Sequence, residues 1–286
     1  MSEESAVLHF STDGIATITL NRPEVHNAFN EELIERLGDM FEDVGHQDGV
    51  RAVVVAAAGK SFCAGADLNW MKRAAHFTEE DNREDSLALG RMLKNLNDIP
   101  KPTIALVQGA AYGGGLGLVA ACDIAIGVKA AKFCLSEVKL GLLPAVISPY
   151  VVEAIGVRAC RRYFLTAEVF DAEAAHRLGL LHEVVEDVHH LAEARDEMLD
   201  KLIKNAPGAM ADSKDLIYTV AGKPIDQDIV EETADRIAAR RTTEEAGARL
   251  PVGSWRPQPG LGLRRLPSIP KPIAARGMWK WRMKRY

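Results

Sequence analysis

The sequence predicts an α/β fold in which short buried strands alternate with amphipathic helices and a helical segment follows. Three observations carry this. Continuous apolar runs at residues 50–57 and 103–107 are separated by a stretch whose apolar residues recur three and four apart. Each of those runs is followed by a loop of small residues, Lys60-Ser61-Phe62-Cys63-Ala64-Gly65-Ala66-Asp67-Leu68 in one case and Gln108-Gly109-Ala110-Ala111-Tyr112-Gly113-Gly114-Gly115 in the other. Beyond Pro144 the extended runs give way to helical spacing.

Taken in order, residues 7–10 and 15–20 alternate apolar and polar positions around Asp13-Gly14, which reads as a hairpin. Residues 30–44 place Leu33, Ile34, Leu37, Met40 and Phe41 on one helical face, and 50–57 is a buried strand. A second helical pattern covers 81–96, where Pro100 and Pro102 stop it before the extended run 103–107. Segments 116–122, 123–127 and 132–135 continue the alternation, implying crossover connections and a largely buried sheet. Helices are expected over 148–155, 157–166, 172–178, 191–205, 207–220 and 226–247.

With 286 residues and 47% hydrophobic content, the chain is long enough for one large domain or a core with a smaller attachment. A net charge of −5 argues against a whole-chain nucleic-acid binder, and no apolar run reaches the roughly 20 residues that span a bilayer. Cys63, Cys122, Cys134 and Cys160 are far apart in apolar or small-residue settings and form no C-x-x-C, as expected of reduced, buried thiols. The N-terminal Met1-Ser2-Glu3-Glu4-Ser5 lacks the features of a signal peptide, so a cytoplasmic location is expected. His189-His190 opens a helix as a solvated pair, and no metal is predicted.

The last stretch, 246–286, breaks the pattern: it has no Asp or Glu, ten Lys or Arg, six of thirteen prolines and three of four tryptophans. Two readings stand. It is a contact element for an acidic partner, a membrane surface or nucleic acid, or it is a flexible extension translated from a shifted frame.

The two loops point to chemistry. Three consecutive glycines between a strand and a helix leave main-chain N–H groups open to a bound oxygen. A second such loop can supply another N–H, a pair suited to a thioester carbonyl that becomes an enolate. A dinucleotide fingerprint does not fit, because the spacing is G-x-G-x-G where G-x-G-x-x-G is required.

Asn21-Arg22-Pro23 with His26-Asn27-Ala28, then Phe62-Cys63-Ala64-Gly65-Ala66-Asp67-Leu68, Lys101-Pro102-Thr103-Ile104-Ala105, and Gly113-Gly114-Gly115 with Cys122-Asp123-Ile124 together resemble the crotonase (enoyl-CoA hydratase/isomerase) superfamily. The resemblance runs in order from about residue 7 to about residue 250. It implies a spiral ββα superhelix core over 1–200, a helical trimerisation region over 201–250, and an atypical tail at 251–286. It implies an acyl-CoA substrate, a homo-trimer or dimer of trimers, and no cofactor beyond the coenzyme A of the substrate thioester.

Carried over residue by residue, the oxyanion-binding amides fall on Ala66 and Gly114, and the second of the family's two glutamates falls on Glu137. A carboxyl between Leu135 and Val138 has its pKa raised by desolvation, unless it pairs with Lys132 or Lys139. The first glutamate is replaced by Gly117. Glu137 then works alone with a backbone-held water, or another side chain (Tyr112, Ser148 or Tyr150) substitutes, or the reaction needs only one carboxylate.

The stretch 136–150 resembles a bacterial branch of methylglutaconyl-CoA hydratase-like members. For the distal carboxylate of such a substrate, Lys72, Arg73 and Lys139 are the candidate cations. Coenzyme A contacts carry over to Ala64, Asp67 and Leu68, and Arg22 faces its phosphates or pairs with Glu24. The leading expectation is reversible hydration of 3-methylglutaconyl-CoA to 3-hydroxy-3-methylglutaryl-CoA in leucine breakdown. A double-bond isomerase, and a weakly catalytic protein that binds CoA esters, are the alternatives.

Overall fold

The computed structural model describes residues 4–249, which fall into two units that divide between Arg240 and Arg241. In the first unit β1 (Ala6–Phe10) and β2 (Ile15–Leu20) form an antiparallel hairpin with Ala6 opposite Leu20 and Phe10 opposite Ala16. Its turn requires Gly14 at φ 81°, where a Cβ would stand 2.5 Å from the Gly49 carbonyl oxygen. Helix α1 (Glu31–His46) begins where the Asn30 side chain accepts from Leu33 N, and it buries Leu33, Ile34, Leu37, Met40, Phe41 and Val44.

Strand β3 (Ala52–Ala57) pairs in parallel with β2, and β4 (Thr103–Val107) pairs in parallel with β3. Between them lie α2 (Leu68–Ala74) and α3 (Glu79–Asp98), the latter started by a capping box of Thr78 and Asp81. After β4 come β5 (Ala111–Tyr112), α4 (Gly114–Ala121), β6 (Ile124–Val128) and β7 (Lys132–Cys134). Helix α5 (Ser148–Thr166) is interrupted at Gly156, whose φ of 75° and ψ of 157° divide it where the sequence pattern places two helices. Strand β8 (Phe170–Asp171), α6 (Ala172–Leu178), β9 (Glu183–Val185), α7 (Val188–Leu202), α8 (Pro207–Val220) and α9 (Gln227–Arg241) follow. The large sheet has the order β1-β2-β3-β4-β6-β9, parallel after the first pair, and a small sheet β5-β7-β8 stands apart from it.

Among the helix bounds that differ from the sequence reading, two have a visible cause. Helix α7 starts at Val188, three residues ahead of the apolar spacing that begins at Leu191, because the Asp187 side chain accepts from His189 N and His190 N, the pair that opens the helix. The single helix expected over 226–247 is instead α9 and α10 (Glu244–Arg249): Thr243 Oγ1 accepts from Ala246 N at 3.2 Å and starts a new helix. The part of the tail from residue 250 onward lies outside the described residues.

Helix α4 follows the glycine loop, and its sequence GGLGLVAA is a poor helix former. Three glycines in eight positions cost roughly 1 kcal/mol each relative to alanine. Burial of Leu116, Leu118 and Val119, at about 1.5–3 kcal/mol per side chain, more than offsets this. The glycines are kept because the helix is pressed against its neighbours. A Cβ on Gly115 would lie 2.5 Å from the Cys63 carbonyl oxygen, and one on Gly109, ahead of the helix, 2.0 Å from that of Lys60.

Candidate active site

The loop after β3 and the loop after β4 are joined at their bases. Gln108 Nε2 donates to the carbonyls of Ala57 (2.8 Å), Gly59 (3.2 Å) and Ser61 (3.0 Å), and Asn27 Nδ2 donates to those of Ala58 (2.8 Å) and Ser61 (2.9 Å). Higher up, Cys63 forms a parallel bridge with Ala111: Cys63 N donates to Ala110 O at 3.0 Å and Tyr112 N to Cys63 O at 2.9 Å. The loops meet again at their tips, where a Cβ on Gly65 would lie 3.1 Å from Tyr112 O and 3.8 Å from the Gly113 Cα.

These contacts orient two amides. Phe29 N donates to Gly65 O (2.7 Å) and Phe29 O accepts from Asp67 N (2.8 Å), a parallel bridge that flanks Ala66 and turns the N–H of Ala66 away from Phe29. Ala66 is solvent-exposed while Gly65 and Asp67 on either side are buried. In the other loop Gly113, at φ 49° and ψ −120°, makes a turn that only glycine adopts readily, and its N–H is used by Cys134 O at 2.9 Å. Gly114 is the first residue of α4, so its N–H has no carbonyl one turn back within the helix.

Glu137 opens a short 3-10 turn, Glu137–Leu140, and leans over the glycine loop: its Oε1 is 3.1 Å from the point that a Cβ on Gly113 would occupy. Burial raises its pKa above the ordinary carboxyl value, and Oε2 is buried without a hydrogen-bond partner among the described residues. The pairing with Lys132 or Lys139 that the sequence left open is not formed among the described residues, where both lysines are exposed. The structure therefore brings Glu137 together with the turn that carries Gly114, and that turn with the loop that carries Ala66.

The space left by the missing first glutamate is filled. A Cβ on Gly117 would lie 2.3 Å from Ile147 Cγ2 and 2.9 Å from Ile147 Cβ, with Leu93 Cδ1 next at 3.8 Å. Ile147 is 2% exposed, so the space beside Gly117 on α4 is apolar and packed. None of the three polar substitutes is among those nearest atoms. Ser148 Oγ donates instead to Ala145 O at 2.7 Å, and Tyr150 faces the charges of Asp98 and Lys94. Sequence reasoning missed Ile147 because it sits thirty positions from Gly117 and only packing joins them. Cys63, beside Gly115, has its thiol pushed up to about 12 by burial and is no nucleophile at neutral pH.

The residues carried over for coenzyme A divide into two sorts. Leu68, 72% exposed, and the half-buried Ala64 lie at the surface of the loop. Arg22 and Asp67 turn inward and hold each other: Arg22 Nη2 to Asp67 Oδ2 is 3.1 Å, and Arg22 Nη1 donates to Ala28 O at 2.5 Å. Asp67, and not Glu24, is thus the partner of Arg22. Asp67 also caps α2 by accepting from Asn69 N and Trp70 N. Burial alone would raise the Asp67 pKa, but the Asn69 N–H and the Arg22 guanidinium outweigh it and hold the carboxyl below its ordinary 3.8. Its contribution to stability is therefore present above 3.8 and is lost as pH falls through the folded value. Asp67→Ala removes a helix cap and strands a partly buried guanidinium, and urea unfolding at pH 7 should show a loss of about 2–4 kcal/mol. A loss no larger than that of an ordinary surface substitution would refute this role. Of the candidate cations, Arg73 is engaged by both oxygens of Glu31 at 2.7 Å, while Lys72 and Lys139 are exposed.

Comparison with known proteins identifies the family. The profile of the enoyl-CoA hydratase/isomerase family matches residues 11–236. The short-chain-enoyl-CoA hydratase of Clostridium acetobutylicum is 32% identical over 205 residues, 71% of this chain and 77% of that protein. The 1,2-epoxyphenylacetyl-CoA isomerase of Escherichia coli is 29% identical over 255 residues, 88% of this chain and 97% of that protein. The crystal structure of an enoyl-CoA hydratase from Shewanella pealeana superposes with a TM-score of 0.82 at 44% identity, covering 85% of this chain and 90% of that one. With paired amide loops, a buried carboxyl beside the glycine turn and a family match across most of its length, the chain belongs to the enoyl-CoA hydratase/isomerase family, the crotonases.

Proposed function

We propose that the protein adds water reversibly to a 2-enoyl-CoA thioester, with 3-methylglutaconyl-CoA as substrate and 3-hydroxy-3-methylglutaryl-CoA as product. The observation that carries this reading is the Glu137 carboxyl, half-buried, without an ion-pair partner among the described residues and lying against Gly113. The N–H groups of Ala66 and Gly114 hold the thioester oxygen as it becomes an enolate. In hydration, oxygen from water bonds to C3 and a proton leaves that water to solvent, while the protonated Glu137 delivers its proton to C2. In dehydration the Glu137 carboxylate takes the C2 proton, and the C3 hydroxyl takes a proton from solvent and leaves as water. A branched glutaconyl substrate brings a second carboxylate, for which the exposed Lys72 and Lys139 are the available cations.

The pH dependence follows from the raised Glu137 pKa. Hydration uses the protonated form and falls as pH rises through that pKa. Dehydration starts from the carboxylate but needs a solvent proton for the departing hydroxyl, so its kcat/KM follows the same pH profile, as a net reaction without proton uptake or release requires. That shared profile, measured in either direction, should bend at the raised Glu137 pKa and lose the bend in Glu137→Gln, and a bend that survives the substitution would refute the assignment.

A second reading, double-bond isomerisation, is favoured by Ile147, which leaves no room at Gly117 for a second proton-handling side chain. Moving a proton between two carbons of one acyl chain needs a single carboxylate. Incubation with 3-methylglutaconyl-CoA and crotonyl-CoA, following loss of the conjugated thioester and identifying products by mass, separates the readings: hydration removes the conjugation and adds the mass of water, while isomerisation shifts the double bond at unchanged mass. Binding of both esters without product would overturn both readings and leave a CoA-ester binder.

A further inference from the structure

We infer that Phe29 is the positioning residue that sets the separation of the two thioester-binding amides, an inference that rests on the reading of Ala66 and Gly114 as the donors. Its two ends contact different loops. Its main chain holds the first: Phe29 N to Gly65 O at 2.7 Å and Asp67 N to Phe29 O at 2.8 Å flank Ala66. Its ring supports the second, for a Cβ on Gly114 would come within 2.8 Å of Phe29 Cε2 and 2.9 Å of Cδ2, so the ring lies directly against the glycine backbone.

The strut is held from both sides. Before it, Ala28 O accepts from Arg22 Nη1 at 2.5 Å, and Arg22 in turn grips Asp67. After it, Asn30 caps α1 through its bond from Leu33 N at 3.0 Å. Phe29 itself is 1% exposed, so the ring has no free volume in which to swing. A flat, rigid side chain between two loops whose backbones also touch at Gly65 and Gly113 fixes a distance that no hydrogen bond between Ala66 and Gly114 sets. Oxyanion stabilisation depends on donors being in place before charge develops, and a shift of the order of 1 Å at such a site costs up to about 100-fold in rate.

The test compares Phe29→Leu with Phe41→Leu in the full-length protein. Phe41 is also fully buried but lies in the second half of α1, and it is not among the atoms nearest to any of the loop glycines. Crotonyl-CoA turnover gives kcat and KM, and cinnamoyl-CoA reports carbonyl polarisation as a red shift of its absorption on binding. For Phe29→Leu, kcat should fall about 10- to 100-fold with KM within about threefold of wild type, and the red shift should shrink. Phe41→Leu should lower the melting temperature comparably while keeping both kcat and the red shift. Wild-type values in Phe29→Leu, or parallel losses in both variants, would overturn the role of Phe29. A wild-type protein that binds cinnamoyl-CoA with no red shift would instead remove the donor assignment beneath it, and the inference with it.

Discussion

Glu137→Gln is expected to lower kcat by about 10²–10⁴-fold, the usual worth of a positioned general acid or base. Glutamine keeps the volume and hydrogen-bonding outline of the carboxyl but exchanges no proton, so substrate binding should change little. The same variant carries a second expectation. Burial raises the Glu137 pKa in the folded protein, and no partner at Oε2 compensates. Below the ordinary value of 4.5 both folded and unfolded states hold the proton, and this group costs no stability. As pH rises from there through the folded pKa, the unfolded state releases its proton first and stability falls. The neutral amide has no such pH dependence, so Glu137→Gln should melt at or above the wild-type temperature at pH 7, with the difference shrinking towards pH 4. A variant that retains turnover, or that is less stable than wild type at pH 7, would contradict the placement of this carboxyl.

Gly114→Ala should lower kcat by about 10²–10³-fold, the typical effect of losing one oxyanion donor. The added methyl would stand 2.8 Å from the Phe29 ring, closer than carbon atoms pack, and that ring is buried. The start of α4 must then lift, carrying the Gly114 N–H out of line. Overpacking of this kind costs about 1–3 kcal/mol of stability, readable as a lower urea midpoint. Gly49→Ala is the control, because a methyl there meets nothing within 4 Å and needs no positive φ. Near-wild-type kcat in Gly114→Ala would mean that the amide does not bind the reacting oxygen.

Much of the framework was legible from local pattern. The hairpin, α1, β3, α3, β4 and the later helices appear close to where periodicity and proline placed them, because each has an unambiguous period and a recognisable start or stop. The two small-residue loops were legible as well, since glycine runs between a strand and a helix have few other uses. Helix α2 was not read. It is seven residues long, and its start is marked only by Asp67, which the sequence offered as a coenzyme A contact and the fold uses as a cap and an ion-pair partner for Arg22. The small sheet β5-β7-β8 escaped notice because two of its strands have two residues each, too few to show any alternation. The break between α9 and α10 was missed because a Thr243 cap looks, in sequence, like an ordinary interior threonine.

By itself the sequence determined the class of fold and the family, and it offered Glu137, Ala66 and Gly114 as the candidate carboxyl and amides, since those depend on residue types at short spacing. Tertiary structure decided the rest. It placed Glu137 against Gly113, filled the space at Gly117 with Ile147, turned Arg22 toward Asp67, and set Phe29 between the two loops. Each of these joins residues far apart in the chain through close packing or a buried hydrogen bond. Such contacts depend on distances of a few tenths of an ångström that no local period encodes.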